Sequence, residues 1–385
     1  MERKKLLFLN CTLGLGGVER SLCDVLRNID YNKYDVDLYL DSSTGSLVSQ
    51  IPSSVRIVYP NMDETFGKFS TIIKPLIKKG EYKKIFLRIV KKMASIFGYG
   101  VYRLLKPIYS TYGYYDAVIA YREGEITQFA YRAFKWSVFI GWWHYGELPE
   151  CNNEYKKLKK IKSLVAVSEQ SKKALMQRFD YLANKIVTIP NIIDSANIKE
   201  MASSFNPPYK DGGMHLVTVS RLSPEKHLEN VIYCAKYLLS KGIEFQWHIV
   251  GCGLIYEELR GHILQDHLEQ NVILEGGQPN PYPYIKNAYL YVHSSYVESQ
   301  GLTILEAMAL GVPCVVTKSL GPCEFIEDGG NGILTEQSPE SLSEKVLKIL
   351  TDRALYERIK ANTHCPEQFA PENVMNKVEE LFEEK

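Results

Sequence analysis

Strand-like and helix-like segments alternate along this chain, and the alternation happens twice. The first series comprises apolar runs at Leu6–Leu9, Val36–Leu40, Asp116–Tyr121, Ser137–Trp143, Ser163–Ser168 and Ile186–Asn191, with helical patterns after Arg20 through Leu26 and from Glu169 to Phe179. The second comprises Leu216–Ser220, Phe245–Val250, Val272–Leu274, Leu290–His293 and Cys314–Val316, with helical patterns at Glu229–Leu239, Tyr256–Leu264 and Ser341–Leu350. Strands separated by helix-length spacers need crossover connections, which makes them parallel and the βαβ units right-handed. A chain of 385 residues also exceeds one ordinary core. The expected α/β architecture is two doubly wound, Rossmann-like domains facing across a cleft, with ligand at the carboxyl ends of the strands. The expected division is residues 1–190, residues 191–365, and a C-terminal helix within 366–385 packing back on the first domain.

Net charge makes no case for one class of partner. Lys plus Arg is 46 against 45 for Asp plus Glu, so no net field favours nucleic acid. The distribution is uneven. Lys68 to Lys106 holds eleven basic residues and one acid, Glu81, interleaved with Phe86, Ile89, Phe97, Tyr99 and Tyr102. That is the composition of an interfacial helix, and it suggests docking on an anionic membrane; an ordinary solvated helix is the alternative. Lys156-Lys157-Leu-Lys159-Lys160 extends the patch or solvates a helix. Eight cysteines are scattered with no C-x-x-C pair, the usage of buried reduced thiols and a cytoplasmic setting. The opening Met1-Glu-Arg-Lys-Lys-Leu-Leu-Phe-Leu has too short an apolar run for a signal peptide and reads as a buried strand.

The segment Tyr296-Val-Glu298-Ser-Gln-Gly301-Leu-Thr-Ile-Leu-Glu306-Ala-Met-Ala-Leu-Gly311 places two carboxylates eight residues apart. Leu302–Leu310 has good helix formers, Gly311 suits the position after a helix, and Pro313 forbids continuation. Glu298 therefore falls on the loop entering the helix and Glu306 inside it, so both can point into one cleft. Amides near Gly301 and Leu302 form an anion-friendly patch there. Val219-Ser-Arg221-Leu-Ser-Pro-Glu-Lys226-His sets a planar donor fork and a point charge just beyond a strand, a pair suited to a diphosphate or merely solvated.

Three other motifs are weaker. Gly14-x-Gly16-Gly17 follows a strand, with Asp41 ending the next. The third glycine of a dinucleotide fingerprint would be Glu19 here, so a tight loop open to phosphate, or a simple turn, fits better. His144, after Trp142-Trp143, is either a core histidine or one facing the cleft. Asp35-Val-Asp37 matches a metal-diphosphate pattern at the wrong end of its strand, and no cluster has metal-ligand spacing.

Together these segments resemble the retaining GT-B glycosyltransferases of glycosyltransferase family four. The matching residues are Gly16-Gly17, Ser168-Glu169, Pro190-Asn191, Ser220-Arg221-Leu-Ser-Pro-Glu-Lys226, Val250-Gly-x-Gly253, Glu298-(x7)-Glu306-Ala-Met-Ala, Gly311-x-Pro313 and Asn331-Gly332-Ile-Leu. The match covers nearly all of Ser163 to Leu334, whereas only the strand pattern is shared between Tyr31 and Thr111. The resemblance implies a nucleotide-sugar donor, with UDP-sugar favoured, and a glycan or lipid-linked oligosaccharide acceptor in surface polysaccharide biosynthesis. It implies no metal and no further cofactor. Arg221 and Lys226 would neutralise the diphosphate, helped by amides at Gly16 and Gly17. Glu306 would take the ribose hydroxyls. Glu298 and the backbone of Gln300, Gly301 and Leu302 would hold the transferred sugar, with His144 near its hydroxyls. Gln278-Pro-Asn280 would lie against the base. Cys252 departs from the family's usual acidic residue, and Ser299-Gln300 from a Gly/Ser-Phe pair. A sugar-nucleotide epimerase or a non-catalytic nucleotide-sugar-binding partner is the alternative on this architecture.

Overall fold

The computed structural model describes residues 2–42, 45–58, 76–145, 155–156 and 158–383. Two compact units divide the chain. The first holds residues 1–167, 172–189 and 375–385, and the second holds 168–171 and 190–374. The change of unit at 189/190 falls at the end of the Ile186–Asn191 run, and the last residues of the chain belong to the first unit.

The first unit is a seven-stranded parallel sheet in the order β3-β2-β1-β4-β5-β6-β7. Its strands are β1 (Lys4–Asn10), β2 (Tyr34–Leu40), β3 (Arg56–Val58), β4 (Tyr114–Ala120), β5 (Lys135–Trp143), β6 (Ser163–Ala166) and β7 (Ile186–Thr188). Covered on both faces, the central strands can be apolar without alternation, and Leu6 to Leu9 are all fully buried. Leu7 and Leu9 join the core with Tyr39, Val118 and Phe129. Phe8, on the other face, meets Phe382 edge-on at 6.2 Å, and Phe382 also meets Tyr34 at 5.4 Å. The C-terminal aromatic thus seals one face of the first sheet.

The second unit is a six-stranded parallel sheet in the order β10-β9-β8-β11-β12-β13. Its strands are β8 (His215–Val219), β9 (Gln246–Val250), β10 (Val272–Gly276), β11 (Leu290–His293), β12 (Cys314–Thr317) and β13 (Ile333–Thr335). Successive strand side chains point to opposite faces, which gives two cores. Leu216, Trp247, Leu290, Val292 and Val315 pack on one side. Val217, Val219, Tyr291, Cys314 and Val316 pack on the other, against Ile304, Leu305 and Met308 of the helix Leu302–Ala309.

Strand order decides where a ligand can sit. In each unit the chain leaves a central strand in one direction and later returns to its other side, so the connections diverge and open a crevice at the carboxyl ends. In the second unit the divergence lies between β8 and β11, paired at Leu290↔Leu216 and Tyr291↔Val217. In the first it lies between β1 and β4, paired from Leu6↔Ala117 to Leu9↔Ala120.

The Asp35-Val-Asp37 motif has a structural use. Asp37 is buried in β2 and accepts from Arg56 Nε at 2.8 Å and Nη2 at 2.5 Å, and from the Tyr115 hydroxyl at 2.7 Å. An acid so enclosed is a clamp between β2, β3 and β4. Among the described residues, no group of three or more His, Cys, Asp or Glu side chains is placed to hold a metal ion.

Candidate functional site

The second unit's crevice is built by two loops that leave adjacent strands. The first follows β8, where Ser220 N donates to Val250 O at 3.1 Å and Leu222 N to Cys252 O at 3.0 Å. Gly251 makes that approach possible, since a side chain's first carbon there would lie 1.8 Å from Ser220 O. Pro224–Lys226 then forms a 3-10 turn, and left-handed His227 (φ 46°) redirects the chain into the helix Glu229–Ser240. Pro224 therefore opens a single tight turn before the long helix begins.

The second loop follows β11 and pins that turn. Ser294 Oγ donates to Lys226 O at 2.8 Å and Ser295 Oγ to Glu225 O at 3.3 Å. The Tyr296 ring stacks on His227 at 3.8 Å, and its hydroxyl accepts from Asn230 Nδ2 at 2.9 Å. The result is a rigid mounting for one lysine. Lys226 Nζ lies 2.5 Å from Glu298 Oε1, and His293 Nε2 lies 2.8 Å from the same oxygen. Burial alone would raise the Glu298 carboxyl, but Lys226 and His293 outweigh it and hold the group well below its ordinary value of 4.5. Glu298 is thus a part-buried carboxylate kept ionised by two donors.

Glu306 follows on the helix Leu302–Ala309, which starts at left-handed Gly301 (φ 83°). A side chain on Gly301 would be strained and would meet Ile304 Cδ1 at 2.8 Å, so glycine suits this entry. Glu306 is 4% exposed and accepts from the Tyr282 hydroxyl at 3.1 Å. Arg221 is exposed, with no ion pair among the described residues, and its charge acts on Glu225 of the same loop.

In the first unit, the helix Gly17–Asn28 begins just past β1, with Gly16 at its cap. The amides at Gly16 and Gly17 are not simply open, because Glu19 of the first turn lies against Gly16 and pairs with Arg122 at 3.1 Å. His144 follows β5, packs against the Tyr121 ring at 5.0 Å, and donates its backbone N–H to Glu123 Oε2 at 3.0 Å. Burial first, then the charge of Arg122, pushes the His144 imidazole down to about 3, so it is neutral at physiological pH. Burial raises the Glu123 carboxyl, only partly offset by the His144 amide. Asp41, at the end of β2, binds Lys91 Nζ at 2.8 Å and the Tyr39 hydroxyl at 3.1 Å.

Comparison with known proteins follows the same lines. The family model for glycosyl transferases group 1 matches residues 202–364, which contain the whole Arg221, Lys226, Glu298 and Glu306 set. Over 227 residues the chain is 27% identical to the poly(ribitol-phosphate) alpha-N-acetylglucosaminyltransferase of Staphylococcus aureus, covering 58% of this chain and 44% of the relative. The chain spans less than half the length of the curated relatives it matches. Two solved structures superpose along nearly the full length. A point mutant of S. aureus TarM with fondaparinux, alpha-GlcNAc-glycerol and UDP has a TM-score of 0.75 at 16% identity, over 99% of this chain and 100% of that one. Anabaena HepE with UDP and glucose has a TM-score of 0.73 at 19% identity, over 98% and 99%. The fold is that of the GT-B glycosyltransferases.

On this GT-B fold the residues expected at the donor site are not equally available. Lys226 and Glu298 meet directly, which their separation of 72 residues does not suggest. The Gln300 side chain turns away into the core, where Oε1 accepts from both Asn191 nitrogens at 2.8 Å, leaving its backbone to line the loop. Asn280 is committed to structure: Nδ2 donates to Met201 O at 2.8 Å and Ser204 Oγ at 3.0 Å, and Oδ1 accepts from Tyr282 N at 3.2 Å. Gln278 Nε2 is tied to Glu275 O at 2.9 Å. A base resting on this loop would meet its backbone more than these two amide groups. Sequence reasoning missed His293 and Tyr282. The one available signal was the position of His293 at a strand's carboxyl end, five residues before Glu298.

Acid should weaken the fold from two places. His144 is neutral in the fold until about pH 3, whereas the free imidazole protonates near 6.5, so the unfolded chain binds more protons and stability falls with pH across that window. Glu298 adds to the loss below its ordinary 4.5, because its ionised form is the one the fold favours. Glu123, raised by burial, opposes them weakly by losing stability as pH rises through its own shifted range. In denaturant titrations, His144→Asn should show a shallower stability loss than the parent between pH 6.5 and about pH 4. Parallel curves would count against this assignment.

Proposed function

We propose that this chain is a retaining, metal-independent glycosyltransferase of glycosyltransferase family four. It moves a sugar from a nucleotide-sugar donor, with a UDP-sugar favoured, to a glycan or lipid-linked acceptor in surface polymer synthesis. The observation that carries the reading is the meeting of Lys226 with Glu298 at the divergence of β8 and β11, with Arg221 on the same loop. Departure of a nucleoside diphosphate leaves negative charge on the outer phosphate while positive charge grows at the anomeric carbon. Fixed cations at that phosphate lower the barrier, a role Arg221 and Lys226 fill without a metal. Glu306 takes the ribose hydroxyls. Glu298 and the backbone from Gln300 to Leu302 hold the sugar. Attack from the face the diphosphate leaves, with that phosphate as base, gives retention. UDP in the TarM and HepE structures supports the choice of base.

A thermal-shift series with UDP, GDP and ADP, each with a matching sugar nucleotide, tests the donor site. Selective stabilisation by UDP compounds is expected, reaching about 2.7 kcal/mol at one hundred times Kd. Slow release of free UDP from a UDP-sugar without acceptor supports a transferase. An epimerised sugar nucleotide supports the epimerase, and binding without turnover the non-catalytic partner.

The acceptor reading includes an anionic membrane surface. On the helix Tyr82–Phe97, Leu87, Val90 and Ala94 face the core. Tyr82, Phe86, Ile89 and Ile96 form an exposed stripe at helical spacing, with Phe97 beside it and exposed Lys83 and Lys92 along its flanks. Apolar side chains flanked by lysines suit a headgroup boundary. The remainder of the basic segment at Lys68 and Lys74, and Lys157, lie outside the described residues. No described helix is long and apolar enough to cross a membrane. The chain should co-sediment with phosphatidylglycerol vesicles at low salt, and Phe86→Ser with Ile89→Ser should weaken that binding several-fold. No pelleting by the parent removes the docking claim.

A further inference from the structure

His293 has no part in the donor chemistry just described, yet it is bound into the centre of that site. It ends β11 and is 2% exposed. Nε2 reaches Glu298 Oε1 at 2.8 Å, the oxygen that also takes Lys226 Nζ at 2.5 Å. A carboxylate only accepts, so Nε2 carries the proton in that contact. Behind the ring, Nδ1 lies 3.3 Å from the Tyr291 hydroxyl, which is 2.7 Å from Thr303 Oγ1 on the helix that bears Glu306. The backbone oxygen of His293 accepts from Thr317 Oγ1 of β12 at 3.1 Å. The imidazole is therefore fixed on both sides, whereas the Lys226 ammonium sits on a flexible four-carbon stem.

The two donors on Glu298 Oε1 have different prospects when a donor substrate arrives. A diphosphate carries more negative charge than one carboxylate and draws the lysine toward itself. Glu298 would then be a part-buried acid deprived of its ion-pair partner, free to turn or to take a proton. We propose that His293 is a positioning residue for sugar transfer, holding Glu298 ionised and oriented toward the sugar while Lys226 turns to the diphosphate. The proposal rests on the transferase reading and deepens it. It separates two duties that a single lysine would otherwise have to perform together.

The test compares the full chain with His293→Leu, His293→Gln and His293→Asn, reading UDP affinity by calorimetry, UDP release from a UDP-sugar, and melting temperature. Glutamine can place an amide nitrogen near the position of Nε2, whereas asparagine reaches only that of Nδ1. His293→Leu should lower kcat about tenfold or more, the scale of one hydrogen bond to a charged group, with UDP Kd changed less than about threefold. His293→Gln should regain most of the turnover and His293→Asn should not. In a Glu298→Ala background, His293→Leu should have little further effect, because the lost contact is already absent. Parent-like turnover in His293→Leu overturns the proposal, as does equal damage in the glutamine and asparagine variants, or a loss that persists undiminished without Glu298. If His293→Leu fails to fold, the contrast between glutamine and asparagine decides the matter. A parent that binds no UDP and turns over no donor overturns the transferase reading and this role with it.

Discussion

Lys226→Ala should cost both catalysis and stability, and the two losses should be separable. On the proposed mechanism the lysine stabilises charge on the departing phosphate. Loss of one such donor is worth about 3–4 kcal/mol of barrier, or about two to three orders of magnitude in kcat. The same change leaves Glu298 part-buried with, among the described residues, only His293 on its Oε1. Removing one partner of a buried ion pair is costly because the remaining charge stays desolvated, and about 2–4 kcal/mol of destabilisation is expected with His293 still in place. Adding Glu298→Gln to Lys226→Ala removes the stranded charge, so the double variant should recover most of the stability and none of the activity. Denaturant melts together with donor turnover would show this. Recovered turnover in the double variant would refute the role of Lys226. A stable, fully active Lys226→Ala would remove the pair from both accounts.

The second large effect is expected at Glu306. Its carboxylate is 4% exposed, with the Tyr282 hydroxyl 3.1 Å from Oε1. If it accepts both ribose hydroxyls, Glu306→Ala forfeits two hydrogen bonds to a charged group, each worth about 1.5–3 kcal/mol. UDP affinity should then fall about a hundredfold or more, while a ligand lacking the ribose, such as inorganic diphosphate, should bind as before. Tyr282→Phe removes only the group that orients the acid and should weaken UDP a few-fold. Calorimetry on the three proteins distinguishes these cases. Unchanged UDP affinity in Glu306→Ala would falsify the ribose assignment.

Much of this protein was legible in its residues. The runs read as strands appear as strands, with ends shifted by one to three residues where the carboxyl end becomes loop, as at Ser163–Ser168, where the strand stops at Ala166, and at Ile186–Asn191, where it stops at Thr188. The edge strands Arg56–Val58 and Ile333–Thr335 escaped, since each is three residues long and lacks the longer apolar run that marked Ile186–Ile189. The helix Arg353–Asn362 was also missed; its start depends on Asp352 capping Leu355 N, a local contact easily overlooked so close behind the preceding helix. Asp37 looked like half of a metal motif and serves as an internal clamp, because Arg56 and Tyr115 reach it from two other strands.

The donor-site candidates divide in the same way. Arg221, Lys226, Glu298 and Glu306 stand in a dense local pattern, so residue type and spacing single them out. His293 does not, because a lone histidine on an apolar strand is more often core, and its meaning depends on what lies beside it. Asn280 and Gln300 looked like free polar groups in sequence, and their side chains are committed to Met201, Ser204 and Asn191.

From sequence alone came the alternating parallel α/β plan, its repetition in two halves, and the four charged residues at the head of the second. These follow from short-range properties: the strand and helix periods, glycine and proline as breakers, and the charge of each side chain. Tertiary structure decided that β8 and β11 are neighbours, and therefore that a lysine 72 positions away and the histidine ending β11 meet one oxygen of the same glutamate. Periodicity records which face of a strand is buried but not which strand lies next to it. That choice is made by packing across the whole sheet, and the site is assembled only where the packing makes two strand ends diverge.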